Sequence, residues 1–196
     1  MSARPYTQTA RAAAQDRTRA ALLDAAERAF FAPAGWDGAS LEAIAAEVGS
    51  TKQTLLRHFG SKDGLLIAAA DRAFARVRDQ RMAAPQGDVA GAVDNLLEHY
   101  DEHGARAIRL AAPDGDGPIA AYGQRGREFH YNWVEHAFAP WLRTRRGRAR
   151  TRLRAALIVA CDVHAWWILT HDLGLGRDDV RATLILTIER LLEEDA

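Results

Sequence analysis

The chain has 196 residues, with 26 basic and 26 acidic side chains and a formal net charge of zero. Apolar residues make up 48% and charged residues 27%, a balance that excludes a disordered or collagen-like chain. The single cysteine, Cys161, excludes a disulfide scaffold and any four-cysteine zinc site.

Alanine occurs 40 times, which favours helices over strands and sets an all-α expectation. Arginine outnumbers lysine 24 to 2, yet Lys52 and Lys62 lie only ten positions apart. Residues 1–81 carry 12 basic and 9 acidic groups, and the remainder 14 and 17. The neutral total therefore hides a mildly basic N-terminal part, which by itself does not establish nucleic-acid binding. Met1 to Arg19 has no apolar core segment and does not read as a secretory signal. With no long uncharged apolar run, the expectation is a cytoplasmic protein without a membrane partner.

Residues 1–15 lack apolar periodicity and are expected to form a flexible arm. A helix follows from about Asp16 to Phe31, with Leu22, Leu23, Ala26 and Phe30 on one face. Pro33 and Gly35 end it. Ser40 caps a short helix, Leu41–Val48, with Glu42 in its first turn. After Gly49, Ser50 or Thr51 caps a second short helix, Lys52–Phe59. Gly60 stops that helix, and Ser61 caps a longer one from Lys62 to about Arg81. The exposed amides at its start are a candidate anion site.

Pro85-Gln86-Gly87 is the clearest break along the chain. Helices are then expected over Val89–His103, with Val93, Leu96, Leu97 and Tyr100 buried, and over Arg106–Ala112. Pro113 to Pro118 reads as a loop. A long helix runs from Ile119 to about Arg143 with a kink at Pro140. Arg148–His171 is another, broken by Gly174 and Gly176, and the last starts at Asp178 and ends near Glu193.

The informative stretch is Ser40 to Phe59. Two short helices meet at a glycine turn, with the small Ala45 four residues before Gly49. Ile44, Val48, Leu55 and Phe59 supply a shared core. This is a helix-turn-helix pattern, although a tight αα-corner without a nucleic-acid role has the same outline. A helix-turn-helix places the start of its second helix in the DNA major groove. Here that start is Thr51, Lys52, Gln53 and Thr54, all able to hydrogen-bond. Gln53 can pair bidentately with adenine, and Lys52 can reach guanine. Arg57, His58 and Lys62 lie later and suit phosphates.

Residues 17–67 resemble the tetracycline-repressor (TetR) family of transcriptional regulators. The resemblance runs from Phe30-Phe31 and Gly35-Trp36 through Ser40-Leu41 and Ile44 to Gly49. It is most specific over Thr54 to Leu66, above all Phe59-Gly60-Ser61-Lys62. It implies an all-α fold: an arm over 1–15, a three-helix DNA-binding domain over 16–64, and a ligand-binding and dimerisation domain over 65–196. It also implies that Lys62 and His58 contact the DNA backbone and that Arg17, or the arm before it, reaches an adjacent groove. Ser40 completes the implied DNA-binding set. One departure is Leu56, where the family commonly has a tyrosine that touches a phosphate.

In the C-terminal part, Leu153–Leu169 is apolar nearly all round, and the last helix carries Val180, Leu184, Ile185, Ile188, Leu191 and Leu192. The two could pack within one subunit or, as the resemblance implies, form a homodimer interface through the last two helices. Phe129, Trp133 and His136 share one helix face. With His99, Tyr100, His103, His164 and Trp167 they either line a pocket for a small hydrophobic or aromatic effector or pack as core. His99/His103 and Cys161/His164 have spacings compatible with metal ligation, but no metal or other cofactor is expected from two such pairs. Seven arginines between Arg143 and Arg154 read as a solvated stretch.

No nucleophile–base set, glycine-rich phosphate loop or carboxylate–histidine cluster points to an enzyme. The sequence therefore reads as a homodimeric, ligand-responsive regulator, most often a repressor, on a palindromic operator of double-stranded DNA. The alternatives are an activator, or a helical interaction module that has lost DNA binding.

Overall fold

A computed structural model describes residues 4–32, 35–111 and 118–193. Every regular element among them is helical. The chain divides into two compact units, Met1–Phe74 and Ala75–Ala196. The division falls inside a helix and not at Pro85-Gln86-Gly87, where Ala84 is buried and the Gly87 amide donates to the Ala137 carbonyl at 3.0 Å.

The first unit contains α1 (Arg4–Phe31), α2 (Gly35–Gly38), α3 (Leu41–Glu47), α4 (Lys52–Phe59) and the first turns of α5 (Lys62–Met82). Helix α1 starts at Arg4, twelve residues before the expected start at Asp16. Residues 4–15 are thus helical where an irregular arm was expected. The alanines at 10 and 12–14 supply helix propensity without needing an apolar face, and residues 10–17 are exposed. Pro33, one of the expected helix-ending residues, lies outside the described residues.

The core of this unit is built from apolar and aromatic side chains. Leu22, Leu23, Ala26, Trp36, Ile44, Ala45, Leu55, Leu65 and Leu66 are buried, with Val48 and Phe59 packed against them. Burying side chains of this size contributes about 1.5–3 kcal/mol for each of the larger ones. Gly64 is required by close approach, because any Cβ there would collide with the Phe59 carbonyl oxygen. Gly60, at φ 76°, sits in the left-handed region that ends α4.

The second unit contains the end of α5, then α6 (Val89–Ala111), α7 (Pro118–Ala137), α8 (Ala139–Thr144), α9 (Gly147–Ala160), α10 (Val163–Trp167) and α11 (Arg177–Glu193). A single π turn, Ile168–Asp172, follows α10. Helix α6 is continuous where two helices were expected. Gly104 does not break it; it lets α6 approach α10, since a Cβ at Gly104 would enter the Trp166 ring. The long helix expected over 119–143 is instead two, separated at Phe138, with Pro140 in the first turn of α8 where a missing N–H costs nothing. The helix expected over 148–171 breaks at Cys161-Asp162. There the Asp162 carboxylate accepts from the His164 amide at 2.9 Å and caps α10. Gly147–Asp172 is long and apolar enough to cross a membrane by length and composition. That cap interrupts it. Most of the loop expected at 113–118 lies outside the described residues.

Candidate functional site

In the first unit, α3 and α4 form the expected corner. The Ser40 hydroxyl accepts from the Ala43 amide at 3.0 Å and caps α3. The Thr51 hydroxyl accepts from the Thr54 amide at 3.2 Å and caps α4, lying 3.1 Å from the Thr54 hydroxyl. The turn itself is held by the Ser50 amide donating to the Ala45 carbonyl at 2.8 Å, an approach that the small, buried Ala45 permits.

Capping leaves the first turn of α4 facing solvent. Thr51, Lys52 and Gln53 are exposed, and Arg57, one turn after Gln53 on the same face, is exposed too. His58 and Thr54 are half-buried. Lys52 is not free: its ammonium meets the Glu42 carboxylate of α3 at 2.7 Å. The hydrogen bond from Lys52 holds the Glu42 carboxyl below its usual range. Lys62 Nζ donates to the Asp37 carbonyl at 3.3 Å and lies 5.5 Å from the centre of the Trp36 ring. Arg17 is exposed on α1.

Two further cations, both on α1, brace this corner. Arg28 of α1 pairs with Glu47 of α3 at 2.6 Å, and the Arg19 guanidinium lies 5.3 Å over the Phe59 ring. Nothing in residue spacing signals either contact, since both join positions far apart in sequence.

In the second unit, some of the expected ligand set comes together. Tyr100 and Trp133 are buried, and the Tyr100 hydroxyl donates to the Cys161 carbonyl at 2.8 Å. The His99 and His103 rings lie 5.2 Å apart. Phe129 is half-buried on α7.

The others are engaged elsewhere. His136 bonds through Nδ1 to Gln86 Nε2 at 2.9 Å and through Nε2 to the Ala84 carbonyl at 3.1 Å, so it holds the turn after α5. His164 is exposed and paired with Asp162 at 2.6 Å. Trp167 is half-buried and stacks on His171 at 3.5 Å. Among the described residues, no group of three or more His, Cys, Asp or Glu could hold a metal.

The residues that spacing did not reveal are Arg81, His130 and Trp166. Arg81, on the last turn of α5, is 2% exposed and is the only buried charged side chain among the described residues. Its guanidinium lies 4.1 Å from the centre of the Trp133 ring and 5.8 Å from that of Tyr100. Burial, reinforced by the Arg81 charge, pushes His99 down to about 2 and His130 down to about 4. Burial pushes the Cys161 thiol up to about 12, so it stays protonated and unreactive.

The arrangement is thus a helix-turn-helix protein with a separate helical C-terminal unit. Residues 22–69 match the model of bacterial regulatory proteins, tetR family. The chain is 25% identical over 118 residues to the HTH-type transcriptional repressor AcnR of Corynebacterium diphtheriae. That match covers 60% of this chain, which spans little more than half, 56%, of the relative's length. The fold of a TetR-family regulator from Streptomyces coelicolor A3 is similar, with a TM-score of 0.52 at 20% identity over 90% of this chain and 95% of that one. On these findings residues 22–69 are similar to the tetR family of bacterial regulatory proteins, and the fold as a whole is similar to that of a TetR-family regulator.

Proposed function

We propose that this chain is a ligand-responsive transcriptional repressor. It acts as a homodimer on a palindromic operator in the cytoplasm and is released by a small-molecule effector in the C-terminal unit. The observation that carries the reading is the capped α4, whose first turn presents Thr51, Lys52 and Gln53 to solvent with Arg57 on the next turn.

Gln53 and Lys52 would read base edges, with Thr51 and Thr54 beside them. Arg57, His58, Lys62, Ser40 and Arg17 would position the head on phosphates. The Lys52–Glu42 pair does not oppose this. Both partners are about half exposed, and such pairs are worth roughly 0.2–1 kcal/mol. A good bidentate base contact discriminates by about 1–3 kcal/mol, so Lys52 can exchange Glu42 for DNA.

The dimer reading is supported by apolar side chains left exposed late in the chain. Val159 on α9 and Leu186 on α11 are 68% and 57% exposed, and α9 packs against α11. A second copy would cover them and set two recognition helices at one fixed spacing. Release by an effector then requires that it bind the two spacings with different affinity.

The test is binding of the purified protein to DNA from just upstream of its own gene at two salt concentrations. The expected result is sequence-specific binding that weakens steeply with salt and is lost in Lys52→Ala and Gln53→Ala. Salt-independent affinity, or binding indifferent to both substitutions, overturns the reading in favour of a helical interaction module.

A further inference from the structure

Arg81 poses a question that DNA binding does not answer. Its Nε and Nη2 are buried without a hydrogen-bond partner among the described residues. These two atoms form one edge of the guanidinium, the edge that grips a carboxylate with two parallel bonds. The same molecule shows the grip in use: Arg181 holds Asp94 through Nε at 2.6 Å and Nη2 at 2.9 Å.

Arg81 is not loosely placed. The residue before it, Gln80, donates to the Asn95 carbonyl at 3.0 Å, and Asn95 Nδ2 donates back to the Gln80 carbonyl at 2.8 Å. This reciprocal pair ties the end of α5 to α6. The Asp162 carboxylate, whose charge reaches Tyr100, His130 and Cys161, is itself taken up by the ring and amide of His164.

The surroundings are aromatic and hold a further unpartnered donor. Trp133 Nε1 is buried without a partner among the described residues, beneath the guanidinium that lies 4.1 Å from its ring. Tyr100 and Trp166 pack at 5.5 Å, and His130 stacks on Trp133 at 6.2 Å. Cation–π contact offsets part of the cost of burying the charge but leaves the Nε/Nη2 edge unused. His99 and His130, kept neutral by burial, add no competing positive charge.

We infer that the C-terminal unit binds a small aromatic or apolar carboxylic acid, its carboxylate forked on Arg81 Nε and Nη2 and its body against Trp133 and Tyr100. This rests on the effector reading above and narrows that effector to an anion. A neutral hydrophobic molecule would leave both guanidinium donors buried and unpaired, which the same site would penalise.

The experiment uses the full chain without DNA, so its outcome is independent of operator binding. Thermal unfolding and tryptophan emission are followed with benzoate, phenylacetate and octanoate, and with benzamide and inorganic phosphate as controls. The expected result is that at least one carboxylate raises the Tm and perturbs tryptophan emission, while benzamide and phosphate do neither. Arg81→Met should abolish the response. Arg81→Lys, which keeps the charge and loses the fork, should weaken it at least tenfold. Arg81→Met should also raise the Tm of the ligand-free protein, where a purely structural arginine would lower it.

No response to any of the three carboxylates overturns the inference. So does an equal response to benzamide, a response to phosphate alone, or a response that survives Arg81→Met. Should Arg81→Met fail to fold, Arg81→Lys and Arg81→Gln carry the same comparison. Loss of operator binding with the carboxylate response intact would sink the regulator reading and leave this one standing.

Discussion

The two units bury very different things. The first encloses a core of Leu22, Leu23, Ile44, Leu55 and Leu65 in which Trp36 Nε1 is a buried donor without a partner among the described residues, and it holds no fully buried charged side chain there; Lys52 meets Glu42 and Arg28 meets Glu47 at the surface. The second encloses a guanidinium among aromatic rings, with nitrogens on Arg81, His99, His130 and Trp133 that have no partner among the described residues. An apolar core with capped helices is what a part needs if it is to present side chains at fixed positions. A core with unmet hydrogen bonds is less stable than its area suggests, and it is able to gain from something added. The contrast is the one expected if, as proposed, the first unit reads DNA and the second takes up an effector.

The comparison breaks most directly at the two cores. Trp133→Ala removes a fully buried ring that also carries Arg81, and should cost about 3–5 kcal/mol in the second unit. Leu55→Ala should cost about 2–5 kcal/mol in the first. Chemical denaturation followed by tryptophan emission and by helical signal measures both. If the units unfold independently, each substitution moves only its own transition.

A pH titration sharpens the contrast. His99 and His130 have folded values below that of an unfolded histidine, near 6.5. Below about 6.5 the unfolded chain therefore binds more protons than the folded one, and stability falls as pH falls. The loss continues to about 4 for His130 and about 2 for His99. Denaturation midpoints between pH 7.5 and 4.5 should drop for the second unit, and His130→Gln should flatten the slope. A slope unchanged in His130→Gln would show that its ring is hydrated.

Smaller effects belong to the exposed surface of α3 and α4. Thr51→Ala removes the α4 cap and should cost about 1 kcal/mol of stability, together with part of the operator affinity. Leu56→Tyr supplies on α4 the hydroxyl that the TetR resemblance leads one to expect there. It should strengthen DNA binding by roughly 0.5–1.5 kcal/mol, read by fluorescence anisotropy, without altering the thermal midpoint of the second unit. Glu42→Gln frees Lys52 and should leave stability nearly unchanged while modestly raising affinity for DNA.

The amino-acid sequence alone determined the α3–α4 corner of the first unit, though not the early start of α1 or the short α2. Ser40, Gly49, Thr51, Gly60 and Ser61 act on the backbone within a few residues of themselves, so caps and turns are legible from local order. The buried faces of α6 and α11 were legible for the same reason, since Val93, Leu96, Leu97 and Tyr100, then Val180, Leu184 and Ile188, repeat at helical spacing. Only the tertiary structure decided which polar groups share a core. Gly104 looks like a helix break until Trp166 of α10 is seen lying against it. Residue spacing gives no sign that His136 bonds to the Ala84 carbonyl or that His164 pairs with Asp162. Arg81 looks like one more surface arginine until α5, α6 and α7 close around it. Caps and periodicities are short-range, whereas the partner of a buried charge is chosen by chain segments brought together from far along the sequence.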